Sequence, residues 1–195
     1  NAEVLPKFEK LEAYHSSLSS DWFGQSLSPP AHYLFGMDCD HLHFFASRNS
    51  HAMVHPESRS GEFQAELWKY DVAEFFLRAP DSNHDLEFNL APNGGWWSCL
   101  FKETLVRMEE NNPPLPGVIA SGEIAPDGWS AHAKIPLSFL KEHLDFGSDS
   151  MLNATFILNS PEQIFLTAGP PAPGKPNFHR PDDFPGVRIR SDVTL

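Results

Sequence analysis

The chain has 195 residues, 41% of them hydrophobic and including 16 Phe and 5 Trp, which is enough bulky apolar surface to build one domain over residues 1–195 without staples. A formal charge of -12, from 26 acidic against 14 basic residues with no basic stripe, argues against a nucleic-acid partner. No run reaches the ~20 apolar residues of a membrane span, and Cys39 and Cys99 are too few for a disulfide framework or a cysteine-based zinc site.

In chain order, "PKFEKLEAYHSSL" predicts a short N-terminal helix. Runs rich in aromatic and branched residues then recur between Gly, Pro, Asn and Asp: "AHYLFGMD", "HLHFFASR", "DVAEFFLR", "DLEFNLAP", "WWSCLFKETLVRM", "VIASGEIAP", "GWSAHAKIP", "LNATFILNS" and "GVRIRS". This rhythm predicts an all-β fold, a two-sheet antiparallel sandwich, rather than βαβ units. "PNGG" and "PDGW" read as tight turns, the latter a hairpin. "PLSFLKEHLDFG" predicts a second short helix, with Ser138 as N-cap and Gly147 beyond its end. "EENNPPLPG" and "AGPPAPGKP" hold too much proline for a central strand or a helix interior and read as loops.

The run "LWKYDVAEFFL" carries two acids among strand-forming residues, and an acid inside a core strand must be paired, turned to water or held for a ligand. Asp71 is expected to tie a loop through backbone N–H groups. Glu74 is expected on a half-exposed aromatic face. In "DLEFNLAP", Leu86, Phe88 and Leu90 alternate with Glu87, Asn89 and Ala91, so one face is expected to be core and the other wet. Trp96 and Trp97 have opposite parity, so only one can face the core and the other becomes a candidate platform, as is Trp68. Trp129 alternates with Ala131, Ala133 and Ile135 and is expected inside. "DCDHLHFF" places Asp38 and Asp40 in a turn, with His41 and His43 on one strand face, a weak metal pattern. Calcium would need convergent oxygens, for which Asp38, Asp40, Asp182 and Asp183 are the candidates.

Four segments taken in order, "GEFQAELWKYDVAEFFL", "LEFNLAPNGGWWSCLF", "GWSAHAKIPLSFL" and "PNFHRPDDF", resemble carbohydrate-binding module family nine and its DOMON-like relatives over about Phe35 to Ile189. The resemblance implies a jelly-roll-like β-sandwich, non-catalytic, secreted or periplasmic, which binds sugar on aromatic platforms, usually beside structural calcium. It implies Trp68 as the first platform and Glu74 as a hydroxyl-binding carboxylate; with Glu87, Asn89, Trp96 and Trp97 these make up the candidate ligand set. Such chemistry is sensible, because a pyranose offers C–H faces to an indole and hydroxyls to charged or amide groups. Three departures stand out: only Phe165 is available where the family has its second platform Trp, the family's arginine position falls near Glu87 or Asn89, and His132 replaces a Glu.

Two other classes compete with this expectation. Paired carboxylates such as Glu74 and Glu87 could serve a glycosidase, with their separation setting the stereochemistry. Haem could be held by Met37 or Met53 with a distal His, as in some DOMON-like relatives.

Overall fold

A computed structural model describes residues 15–80, 83–159 and 162–187. Its eleven strands are β1 (Ser16–Ser20), β2 (Ser26–Met37), β3 (His41–Arg48), β4 (Val72–Arg78), β5 (Asp85–Leu90), β6 (Trp96–Glu103), β7 (Val106–Arg107), β8 (Ile119–Ala125), β9 (Gly128–Pro136), β10 (Met151–Leu158) and β11 (Ile164–Thr167). They form a five-stranded sheet in the order β1-β2-β3-β9-β8 and a six-stranded sheet in the order β11-β10-β4-β5-β6-β7. Every strand pair is antiparallel. The fold is thus the expected all-β sandwich, with one helix, α1 (Leu137–Leu144), following β9.

Strand alternation decides the core. Phe44, Ala131, Ala133 and Ile135 of one sheet face Phe75, Leu77, Phe88, Leu90 and Phe156 of the other, all buried. Phe75 sits at the centre, edge-on to Phe44 (ring centroids 5.2 Å apart) and stacked on Phe88 (5.2 Å), which in turn stacks on Trp96 (5.8 Å). Trp129 is buried in the same core, as its alternation requires.

Both predicted turns form. Ala125 pairs with Gly128 across Pro126–Asp127, and Ala91 N donates to Gly95 O at 2.8 Å. Gly94 has φ +84°, and a Cβ there would lie 2.3 Å from the Ser121 carbonyl carbon, so the β5–β6 turn rests directly on the backbone of β8.

Several expectations need correction. His15 to Leu18 do not continue an N-terminal helix: Ser16–Ser20 is an edge strand on β2, and the remainder of that predicted helix lies outside the described residues. "WWSCLFKETLVRM" is two strands, because Leu105 takes a left-handed conformation (φ 61°) and turns the chain back. Ser138 lies inside α1 and caps nothing: β9 runs straight into the helix, Pro136 occupies the N-cap, and Leu137 N donates to Asp40 O (2.8 Å). Gly147 does lie beyond the helix end, where Asp145 takes the left-handed conformation. Most of "GVRIRS" lies outside the described residues, within which only an isolated bridge of Gly186 to Met151 remains.

The largest correction concerns solvent. The outer face of the six-stranded sheet is not wet: Glu87, Asn89 and Ala91 are 7%, 0% and 1% exposed. Trp22, from the turn after β1, and Phe178 and Phe184, from the segment after β11, form a second apolar cluster over Val72, Phe76, Trp97 and Phe101. A sheet covered on both faces buries the polar half of its alternation as well.

Candidate functional site

The second cluster does not close completely. It leaves a cleft of about 400 Å³ with β4, β5 and β6 as its floor and Phe165 and the Pro176–His179 segment along one side. Trp68 reaches it by an indirect route. Glu66 adopts a left-handed conformation (φ 66°), a single 3-10 turn follows over Leu67–Lys69, and buried Leu67 anchors that turn in the cluster. The half-buried indole of Trp68 then meets Trp97 at 5.8 Å and 69°, a two-walled corner. The β6–β7 hairpin adds Arg107, which stands opposite Phe101 and lines the opening.

The floor is a pair of polar rows. In one, Thr155, Glu74, Asn89 and Trp97 lie side by side across β10, β4, β5 and β6; in the next, Asn153, Phe76, Glu87 and Cys99 do the same. Glu74 and Glu87 are therefore diagonal neighbours on adjacent strands. Glu74, 2% exposed, accepts from Thr155 Oγ1 through Oε2 (3.0 Å), while its Oε1 takes no hydrogen bond among the described residues. Asn89 Nδ2 donates to Glu87 Oε1 (3.1 Å), and Glu87 Oε2 lies 3.5 Å from His179 Nε2.

Burial controls the charge of this floor. It pushes Glu74 well above the usual carboxyl range, and the neighbouring Glu87 adds to the effect. Burial likewise raises Glu87 to about 7, against the Asn89 hydrogen bond and the attraction of Arg107. Asp85, on the same face of β5, is raised to about 7 by burial although Arg78 opposes it. Burial lowers His179 to about 4, so its approach to Glu87 is a contact of a neutral imidazole and not an ion pair. The result is a site with apolar walls and a floor whose acids burial holds toward their neutral form.

The expected residues divide clearly. Trp68, Glu74, Glu87 and Trp97 line one cleft, and Asn89 supports Glu87 from beneath it. Trp96 points the other way, into the core between the sheets, where its Nε1 donates to Gly61 O (3.1 Å), so it is no platform. Glu74 is not half-exposed; the cover from Trp22 and Phe178 arrives from segments far along the chain. Phe165 does line the cleft, on the side of the Pro176–His179 segment. Arg107 and His179 also line it, and neither was singled out from the sequence as a ligand contact. Asp71 is the expected tie, accepting from the backbone N–H groups of Met53 (3.0 Å) and Asn159.

The metal candidates do not assemble. Asp38 spends Oδ1 on the N–H groups of Asp40 (2.8 Å) and His41 (2.7 Å) and Oδ2 on His43 Nε2 (2.8 Å). Asp182 pairs with Arg78 and Asp183 with Arg180 on the opposite side of the sandwich. Among the described residues no three metal-binding side chains converge, so these six residues do not fit a single calcium or zinc centre. Cys39 and Cys99 are free, one exposed and one buried. No helix among the described residues is long and apolar enough to cross a membrane. A separate cleft of about 300 Å³ opens between Pro113–Pro116 and α1, but Leu86, Leu100, Met108 and Phe139 dominate its walls and it has no carboxyl pair.

No protein-family model and no curated protein matches the chain. Solved structures do. A protein from Bacteroides uniformis, assigned provisionally as carbohydrate-binding, superposes with a TM-score of 0.66 at 17% identity, over 94% of this chain and 93% of that one. A family 9 carbohydrate-binding module from Caldicellulosiruptor kristjanssonii in complex with glucose gives 0.61 at 13% identity, over 100% and 93%. A family 9 module from the same organism in complex with cellotriose gives 0.57 at 14%, over 87% and 82%. At these identities the likeness establishes the fold, which is the one that the sequence resemblance implies.

Proposed function

We propose that this chain is a non-catalytic carbohydrate-binding module, of the secreted or periplasmic kind, that takes a sugar into the cleft beside Trp68 and Trp97. The observation that carries this reading is the meeting, in one cleft, of two indoles at a corner and two acids on its floor. A pyranose has the matching surfaces: its C–H face suits the indole walls, and its hydroxyls can reach Glu74 and Glu87. Protonated, a carboxyl donates one hydrogen bond and accepts others, and ionised it only accepts, so the burial-raised pair can serve hydroxyls in both senses. The three neighbours support the reading, since two of them are carbohydrate-binding modules in complex with a sugar.

The test is a glycan array followed by titration calorimetry on the best binder. Binding is expected with Kd in the range of weak sugar modules, together with quenching of tryptophan fluorescence. An array with no binder, on protein whose near-UV spectrum shows intact packing, overturns the proposal.

A further inference from the structure

We infer, resting on the sugar-binding reading above, that the ligand selected by this cleft is an amino sugar, whose protonated amine sits against the Glu74–Glu87 pair. The floor is short of donors, not of acceptors. Glu74 Oε1 has no partner among the described residues, Glu74 Oε2 has only Thr155, and the amide of the floor, Asn89 Nδ2, donates to Glu87. Both acids are at least nine-tenths buried and line the cleft, so these oxygens can be reached only by what enters it.

A hydroxyl brings one donor and no charge. An ammonium brings three donors and a positive charge, and either carboxylate that ionises beside it is stabilised instead of repelled by its neighbour. The walls favour the same ligand: the Trp68 and Trp97 rings meet at 69°, and indole is the strongest of the aromatic partners for a cation. The remaining pyranose still keeps a C–H face for stacking. Two other basic groups line the cleft, and neither takes this place. His179 is neutral at its depth, and Arg107 lies on an exposed two-residue strand at the opening, where water screens it.

The experiment is calorimetric titration of the intact chain at neutral pH and low salt with glucosamine, N-acetylglucosamine and glucose. Glucosamine is expected to bind about tenfold more tightly than the two neutral sugars. In Glu87→Gln, which keeps an oxygen for Asn89, the three are expected to draw level. Equal binding of all three sugars by the unaltered protein overturns this inference and leaves the sugar-binding reading standing. A preference that survives in Glu87→Gln overturns the assignment to the pair, and failure of all three sugars to bind overturns the amino-sugar inference, while an array with no binder is what overturns the sugar-binding reading.

Discussion

The two outer faces of the sandwich bury ionisable groups in opposite senses. On the five-stranded sheet, His43 and His132 lie in contact (Nδ1 to Nε2, 3.1 Å), His43 reaches Asp38, and the His132 ring lies parallel on Phe45 with centroids 3.9 Å apart. On the six-stranded sheet the buried groups are acids, Glu74, Asp85 and Glu87. Desolvation favours the neutral form in both places, and so lowers His132 to about 3 while it raises Glu87 to about 7. Neutral at opposite ends of the pH scale, the two faces should fail at opposite ends as well. Glu87 binds its proton more tightly folded than unfolded, so the stability it contributes is present in acid and is lost as pH rises from about 4 to about 7. His132 is the reverse: its contribution is present above about 6.5 and is lost as pH falls toward about 3.

The comparison can be broken most forcefully by deleting a ring from each face. Phe76, 1% exposed, meets Phe178, His179 and Phe184, and Phe45 is fully buried on the other side. Phe76→Ala and Phe45→Ala should each cost about 3–5 kcal/mol in urea unfolding. Only Phe76→Ala should also abolish sugar binding, and a loss in both variants would show that the faces are not independent. Next in size, Glu87→Gln should gain roughly 1–3 kcal/mol above pH 7 and almost nothing at pH 4. His132→Phe should gain a comparable amount at pH 4 and lose about 1 kcal/mol at pH 8, where a hydrogen bond is missing. Unfolding curves at both pH values check the pair, and parallel shifts at the two pH values would refute the opposed signs. Smallest in stability terms, Trp68→Ala should cost about 1 kcal/mol in folding because the indole is only half-buried, yet weaken sugar binding by roughly 1–3 kcal/mol in calorimetry.

Much of the sandwich was legible in local pattern. The alternations in "HLHFFASR" and "GWSAHAKIP" predict β3 and β9 to the residue, and parity alone limits the core-facing indoles to one of Trp96 and Trp97. Pattern could not say what covers a face. Alternation marked Glu87 and Asn89 as wet because acids and amides usually are, and the cover comes from Trp22 and Phe178, 65 residues before Glu87 and 91 after it. Arg107 was illegible for a different reason: it sits on a two-residue strand, too short to carry a period. Strand parity could not have placed Trp68, since a 3-10 turn and not an extended chain brings it to the cleft.

The side of the cleft formed by Pro176–His179 belongs to a stretch that comes after β11 in the chain and, among the described residues, adds only a single bridge of Gly186 to Met151. Severing the proline-rich link between Thr167 and Asn177 would leave the ladders between the strands in place, with the cleft wall held only by Phe178, Phe184 and the backbone bonds of Pro185 and Val187 to Leu152 and Ser150. A protease that nicks there would act on recognition and spare the scaffold, and the order of loss, ligand first and sheets long afterwards, would be its fingerprint.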